Sequence, residues 1–254
     1  MSIIYNLVDI FLMNNNEKDI FRIIRNTKKN VIFDVGSFQG KFTEKLIKLD
    51  NNTSKNKYYL FDPNPNGQKY VKRLINNHKN IFFNCVGLNN KIELKTFYLN
   101  NFFEASGSSF QTILKNDKLW NLSRKMIIAL FEIFKVKSEK SFRQFQIKTN
   151  TIDNFCSSKN IKKIDILKID AEGHEEFILK GSLNMLKRNK IRSIYVEILA
   201  KKDKYNLKKK KIINFLKKFK FKCIKEYPIR SVSVLSNSKC SDFFFINQKY
   251  KSEK

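Results

Sequence analysis

Four acidic side chains stand at the ends of short apolar segments that we predict to be strands. They are Asp34, Asp62, Asp170 and Glu197. In open α/β sheets, ligands bind beyond the carboxyl ends of the strands, so these positions are candidates for one shared site. A carboxylate costs free energy to bury unless a partner hydrogen-bonds to it. Together, the four acids predict a polar ligand that offers hydrogen-bond donors.

The turn after the first predicted strand has the spacing D-x-G-x-x-x-G, from Asp34 to Gly40. Gly36 allows a tight turn and a close approach to a ligand, and Gly40 allows the next helix to pack closely on the sheet. This is not the G-x-G-x-x-G loop that holds the pyrophosphate of dinucleotides. Asp62, at the end of the second strand, is placed to accept hydrogen bonds from ribose hydroxyls. The combination favours a nucleoside without phosphates and is typical of S-adenosylmethionine binding.

The elements that must hold these residues alternate between strand and helix. Apolar runs predict strands at 31–35, 58–61, 81–86, 164–170, 193–199, 222–224 and 242–246, with further extended segments at 92–99 and 147–152. Helices are predicted after the first two strands, from about Gly173 to Arg188, and over most of the lysine-rich stretch 201–222. This last helix has a candidate buried stripe of Leu207, Ile212, Ile213, Phe215, Leu216 and Phe219. We therefore predict an α/β fold with a mostly parallel twisted sheet, helices on both faces and an antiparallel pair of strands at the edge.

Length and composition indicate one domain over residues 1–254, because 42% hydrophobic residues suffice to bury one α/β core. Residues 1–30 are expected to form a helical extension. Residues 102–145 are an insertion that either extends the core or closes as a lid over a substrate. The four cysteines form no C-x-x-C pair, so they suggest neither a zinc site nor a disulfide framework.

A net charge of +28 favours nucleic acid or an anionic surface as a partner. However, the chain is rich in Lys, Asn, Ile and Phe and poor in Gly, Pro, Ala and Arg, a bias that an A+T-rich genome imposes on any protein. We therefore interpret the lysines of 201–222 as a solvated helix face. The N-terminus does not resemble a signal peptide, and the apolar run Met126–Phe134 is too short to cross a bilayer, so we expect a cytoplasmic protein without a transmembrane segment.

The most specific segment, from Asp165 to Ser182, reads DILKIDAEGHEEFILKGS. It resembles the hallmark of the FkbM family of methyltransferases. Further stretches resemble the same family, in its order, over roughly residues 30 to 200. They are Phe33–Gly36, Phe61–Pro65, Val86–Leu88, Ser108–Ser109 and Thr151–Phe155. Two positions depart from the family pattern: Phe38 stands where Asn is frequent, and Asp62 stands where Glu is frequent.

The resemblance implies a Rossmann-like class I methyltransferase fold, S-adenosylmethionine as cofactor, and O-methylation of a hydroxyl on a glycan or small natural product. By position in the motifs, the implied cofactor-binding residues are Asp34, Gly36, Ser37, Gly40, Asp62, Pro63, Val86 and Asp170. Asp170 is also implied to lie near the sulfonium and the incoming acceptor. The identity of the acceptor and the oligomeric state are left open.

Methyl transfer is an in-line displacement, so the enzyme chiefly positions the acceptor oxygen, which contributes about 7–11 kcal/mol. A general base adds typically about 10²- to 10⁴-fold. Asp170, Glu172 and His174 are the candidates for this base, and Glu172 and His174 have alternative roles as a helix cap and a surface residue. Two acids in one loop are too few to specify a divalent ion, so no metal is assigned.

Two other functions compete with this hypothesis. Nucleic-acid methylation is motivated by the basic charge, but exocyclic-amine methyltransferases carry an [N/D]-P-P-[Y/F] turn where this chain has Ile169–Glu172. The second alternative is a non-catalytic protein that uses the same fold to bind a partner through the 102–145 insertion.

Overall fold

The computed structural model describes residues 29–49, 55–100, 142–229 and 238–250. Its strands are β1 Val31–Val35, β2 Lys57–Phe61, β3 Ile81–Asn84, β4 Gly87–Leu88, β5 Leu94–Asn100, β6 Phe142–Asn150, β7 Ile164–Ile169, β8 Ile191–Lys201, β9 Phe221–Ile229 and β10 Ser238–Asn247. Its helices are α1 Lys41–Leu49, α2 Gly67–Asn77, α3 Ile152–Ser158, α4 Glu175–Lys180, α5 Leu183–Lys187 and α6 Lys202–Lys217, followed by the 3-10 turn Gln248–Tyr250. No helix in the described part of the chain is long and apolar enough to span a membrane.

Seven strands form the main sheet, in the order β3-β2-β1-β7-β8-β10-β9. The pairs from β3 through β8 are parallel, and β10 runs antiparallel to both of its neighbours. The predicted α/β fold with a mostly parallel sheet is thus confirmed. The final antiparallel pair is also present, but β10 lies inside the sheet and β9 forms the edge.

The sheet is covered on both faces because successive residues of a strand point to opposite sides. On one side, Phe33 and Leu167 belong to a core that is completed by helices α3 to α6. On the other side, Ile32 and Ile166 belong to a core that is completed by α1 and α2. Continuous apolar strands are expected for a sheet buried on both faces, and β7 is buried along its whole length.

A small second sheet has the order β4-β6-β5. Strands β5 and β6 are antiparallel; β5 ends just before the 102–145 insertion, and β6 begins within the last residues of this range. Strand β4 pairs with the end of β6 in parallel. The extended segments predicted at 92–99 and 147–152 overlap β5 and the end of β6, which form one antiparallel pair, but the second prediction is wrong at Ile152, where α3 begins. Nearly all of the insertion and of the predicted 1–30 extension lies outside the described residues, so both assignments stay predictions.

The prediction of one helix from about Gly173 to Arg188 is wrong in one respect. The structure has two helices there, α4 and α5. The division falls at Gly181, where an added Cβ would lie 2.1 Å from the carbonyl oxygen of Asn89. The second helix then begins with its own cap. The carboxylate of Asp153 accepts hydrogen bonds from the backbone N–H of Asn184, at 2.8 Å, and of Met185, at 3.0 Å.

The predicted buried stripe of the lysine-rich helix is partly wrong. Leu207 is 71% exposed, whereas Ile212 and Leu216 are fully buried and Tyr205 is 1% exposed. The stripe follows Tyr205, Ile212 and Leu216, at helical spacing, and a residue two positions after Tyr205 points away from it. Ile213, Phe215 and Phe219 are partly buried against the same core.

The cap of α5 yields a stability prediction. Asp153→Ala removes the acceptor of two helix N–H groups, so we expect the free energy of unfolding to fall by about 1 kcal/mol. Urea denaturation followed by circular dichroism measures it. The matched control is Asp203→Ala, which removes an exposed acid in the first turn of α6 and should change stability by less than about 0.5 kcal/mol. Equal effects of the two variants would contradict the capping role.

Candidate active site

The carboxyl ends of the central parallel strands meet at one edge of the sheet. Val35 pairs with both Phe61 and Ile169, and Ile169 pairs with Val196. The residues that follow these four are therefore neighbours, and they include Asp62, Asp170 and Glu197. The sequence-predicted acids are brought to the same edge.

Gly36 is the point where the turn after β1 crosses the end of β7. It has φ +73°, and an added Cβ would lie 1.6 Å from the carbonyl oxygen of Asp170. The backbone is held there by bonds from Gly36 N–H to the Phe61 carbonyl, at 2.9 Å, and from Asp170 N–H to the Val35 carbonyl, at 3.0 Å. Any side chain at this position would collide with the backbone of Asp170. The close approach predicted at Gly36 is therefore, in the first place, a close approach to the end of β7.

Asp62 organises the turns after β1 and β2. One carboxylate oxygen accepts a hydrogen bond from Phe38 N–H, at 2.7 Å, and the other from Asn64 N–H, at 2.8 Å. Burial raises the pKa of Asp62 to about 6, although these two hydrogen bonds act in the opposite direction. Each oxygen retains a further lone pair that can accept from a ligand hydroxyl.

Phe38 departs from the family pattern, and its backbone gives a reason for the usual residue. It has φ +43°, in the left-handed region that Asn tolerates better than a bulky side chain. The ring of Phe38 packs on Tyr70, with 5.3 Å between centroids. The N–H of Phe38 still reaches Asp62, so the turn keeps its shape despite the substitution.

Asp34 is fully buried and is held by two partners. Thr43 Oγ1 donates a hydrogen bond of 2.8 Å to one carboxylate oxygen, and Lys168 Nζ lies 3.2 Å from the other. The same ammonium group lies 3.4 Å from Asp170 and donates to the Gly36 carbonyl at 3.1 Å. One cation thus connects β1, its turn and the end of β7.

Lys168 is the residue that the sequence interpretation missed. Burial lowers its pKa, but Asp34 and Asp170 outweigh this effect and raise the pKa above its usual value, so the side chain carries a charge. The sequence does contain a signal for this role. Lys168 lies inside the otherwise apolar stretch Ile166–Ile169, so either this stretch is not a buried strand or the lysine is paired with an acid. A search for acids alone passes over it.

The other predicted cofactor-binding residues surround these turns. Ser37 is 5% exposed, and its Oγ has no hydrogen-bond partner among the described residues. Gly40 has φ +71°, and an added Cβ would lie 3.1 Å from Leu74, so it sets the packing of α2 against the turn. Pro63 and Val86 are half-buried, in the segments that follow β2 and β3.

Beyond Asp170, the chain turns into α4 through two left-handed residues, Glu172 with φ +48° and Gly173 with φ +102°. Glu197 of β8 is half-buried beside this loop. Burial raises the pKa of Glu197 well above its usual value, and the charges of Asp170, Asp242 and Glu172 raise it further. Asp242 is opposite Glu197 on β10 and accepts a hydrogen bond of 2.7 Å from the Tyr195 hydroxyl. Several carboxyl groups therefore share this side of the edge.

His174 is enclosed rather than presented at the edge. It is 1% exposed, its Nε2 lies 3.1 Å from Asn89 Oδ1, and its ring stacks on Phe177. Burial, together with the charges of Lys95 and Lys208, lowers the pKa of His174 to about 3. This geometry favours a structural role over that of a base. Among the described residues, no group of three or more His, Cys, Asp or Glu is arranged to hold a metal ion.

The sequence model of the FkbM methyltransferase domain matches residues 34–223, which is more than half of the chain and includes Asp34, Asp62, Asp170 and Glu197. The chain belongs to the FkbM methyltransferase family. S-adenosylmethionine is accordingly its cofactor. No curated protein sequence matches the chain.

The fold is shared with a solved structure of an FkbM methyltransferase. The FkbM methyltransferase of Methylobacillus flagellatus KT superposes with a TM-score of 0.50 at 11% identity, over 85% of this chain and 44% of that one. The present FkbM chain thus spans less than half the length of that protein. A SAM-dependent methyltransferase from Aquifex aeolicus gives 0.44 at 14% identity and 97% coverage of both chains. Aeropyrum pernix fibrillarin, with natively bound S-adenosyl-L-methionine, gives 0.47 at 8% identity, over 88% of this chain and 68% of that one.

The residues present fit such a cofactor. The buried Ser37 hydroxyl lacks a protein partner among the described residues, so it can bond to a polar ligand group. The spare lone pairs of Asp62 match the hydroxyls of a ribose. Gly36 and Gly40, which begin and end the turn that contains Ser37, carry no side chain.

The ion pair at the centre of this FkbM site yields a second prediction. Lys168→Met leaves Asp34 buried without its cation, so we expect a loss of about 3–5 kcal/mol in the free energy of unfolding. Lys48→Met is the control, because Lys48 and Glu44 form an exposed pair one helical turn apart, worth at most about 0.5 kcal/mol. Chemical denaturation of both variants makes the comparison. A Lys168→Met protein as stable as the control would contradict the central role of the pair.

Proposed function

We propose that this protein transfers the methyl group of S-adenosylmethionine to a hydroxyl group, on a glycan or a small natural product. The observation that carries the proposal is the set of carboxyl groups at the ends of β7 and β8, next to the turns proposed for the cofactor. A hydroxyl must lose a proton as it becomes an ether, and a carboxylate is a suitable acceptor. The loop Ile169–Glu172 also lacks the Pro-Pro turn typical of exocyclic-amine methylation.

In this proposal, the residues of β1 and β2 hold the cofactor. Asp62 accepts hydrogen bonds from the ribose, Ser37 and Gly36 line the turn, and Asp34 acts through Lys168 to keep that turn against β7. Gly40, Pro63 and Val86 shape the same space. The bound cofactor supplies an electrophilic methyl group on a sulfonium.

The residues of β7 and β8 receive the acceptor in the same proposal. Asp170 and Glu172 flank the hydroxyl, and one of them accepts its proton. Glu197 adds a third carboxyl group at this edge, and burial together with the neighbouring acids raises its pKa well above the usual value. His174, buried with a pKa of about 3, supports the Asp170–Glu172 loop instead. No metal ion enters this scheme.

Formation of adenosylhomocysteine tests the proposal directly. Purified protein is incubated with S-adenosylmethionine and panels of oligosaccharides, small hydroxylated compounds and RNA. We expect release of adenosylhomocysteine with a hydroxyl compound and none with Asp62→Ala, which loses the proposed ribose contact. Release that depends on RNA and falls steeply with salt would instead favour nucleic-acid methylation. Failure to bind S-adenosylmethionine in calorimetry, with NAD as the negative control, would favour a non-catalytic role.

The pKa of Asp62 gives a pH prediction for cofactor binding. With a folded-state pKa of about 6, the ionised carboxylate that accepts ribose hydroxyls becomes scarce below pH 6. We expect the affinity for S-adenosylmethionine to be about tenfold lower at pH 5 than at pH 7.5. Calorimetry at several pH values measures this. Asp62→Asn should bind weakly with no such pH dependence, whereas Asp203→Asn should behave as the unmodified protein.

The same shift has a consequence for stability. The folded-state pKa of Asp62 lies above its ordinary value of 3.8, so the native state binds this proton more tightly than the unfolded state. The contribution of Asp62 to stability is therefore greatest below pH 4 and is lost as the pH rises from about 4 to about 6. As the pH rises over this range, cofactor binding should become stronger and the contribution of Asp62 to stability should become smaller.

A further inference from the structure

Lys208 of α6 makes three short contacts with oxygen atoms near the candidate active site. Its Nζ lies 2.6 Å from Glu175 Oε2, 2.8 Å from the Gly173 carbonyl and 3.0 Å from the Leu199 carbonyl. The side chain is 14% exposed. A lysine ammonium has three N–H donors, so these contacts use its full capacity.

Glu175 contacts both Lys208 and the backbone of Gly173. It is fully buried, and its Oε1 accepts a hydrogen bond of 2.6 Å from Gly173 N–H. Gly173 is therefore held at both of its backbone polar groups, its N–H by Glu175 and its carbonyl by Lys208. Since Glu175 and Lys208 also contact each other, the three residues form one connected unit.

The backbone that this unit holds needs support. Glu172 has φ +48° and Gly173 has φ +102°, so two successive residues adopt left-handed conformations. For Glu172 such a conformation is unfavourable and persists only where the surroundings enforce it. The Leu199 contact adds a second constraint, because Leu199 lies two residues beyond Glu197. One ammonium group thus binds both the Asp170–Gly173 loop and the end of β8.

We propose that Lys208, together with Glu175, is a positioning residue that sets the Asp170–Gly173 loop against β8 and so places the carboxyl groups that receive the acceptor. This inference rests on the proposed methyltransferase function and deepens it. Lys208 touches neither acceptor nor cofactor. It acts through the loop, whose first residue also touches Gly36 and Lys168 on the cofactor side.

The neighbouring lysines of the same helix provide a matched control. Lys208 is the first of four consecutive lysines, Lys208–Lys211. Lys209 also forms a 2.6 Å ion pair, with Glu226 of β9, and its side chain is 30% exposed. Lys209→Met therefore removes a pair of the same length from the same helix without touching the loop.

The first experiment compares Lys208→Met with Lys209→Met. S-adenosylmethionine binding is measured by calorimetry, and amide hydrogen exchange is followed in peptides that cover residues 170–175. We expect Lys208→Met to weaken binding at least tenfold and to accelerate exchange in this loop. Lys209→Met should stay within twofold of the unmodified protein in both measurements. Unchanged affinity and unchanged loop exchange in Lys208→Met would overturn the proposal.

A second variant separates positioning from general stability. Lys208→Met leaves Glu175 buried without a cation, so the double variant Lys208→Met/Glu175→Gln removes both charges, and the Gln carbonyl can still accept from Gly173 N–H. We expect its thermal stability to recover while binding stays weak and loop exchange stays fast. Recovery of binding together with stability would overturn the proposal, and so would a double variant that fails to fold. If the unmodified protein does not bind S-adenosylmethionine, the proposed function fails instead.

Discussion

The buried ion pair between Lys168 and Asp34 is the interaction on which the functional edge depends. Both side chains are removed from water, and an ammonium group can remain charged there only because Asp34 and Asp170 are within 3.4 Å of it. The cost of separating such a pair is high, so the ends of β1 and β7 must stay together. Gly36 makes the crossing possible because any side chain at this position would collide with the Asp170 carbonyl.

This constraint explains why the fold was predictable and part of the site was not. The parallel strands are continuous apolar runs, and the acids at their ends mark the edge, so the sheet and the positions of Asp34, Asp62 and Asp170 follow from local pattern. Lys168 lies within such a run, and its role depends on Asp34, an acid 134 positions earlier in the chain. The break between α4 and α5 likewise depends on distant residues, Asn89 and Asp153, which no helical periodicity contains.

The lysine-rich composition hides two different kinds of lysine. Most of the lysines on α6 are exposed, as expected for a solvated face. Lys168 and Lys208 are largely buried, and each contacts several oxygen atoms of the candidate active-site edge. Sequence alone does not separate them, because Lys208 is the first member of a run of four. Burial of the ammonium group distinguishes the structural lysines from those that a biased composition produces.

The loop from Asp170 to Gly173 is held from both sides by these two cations. Lys168 holds the carboxylate of Asp170 beside the turns proposed to bind the cofactor, and Lys208 holds Gly173 against the end of β8. Glu172 lies between the two anchors in a conformation that is unfavourable by itself. Groups that are fixed before the substrate arrives need no reorganisation during the reaction, which is how positioned charges lower a barrier. A loop of this kind therefore suits a reaction whose main requirement is the placement of one acceptor atom behind one methyl group.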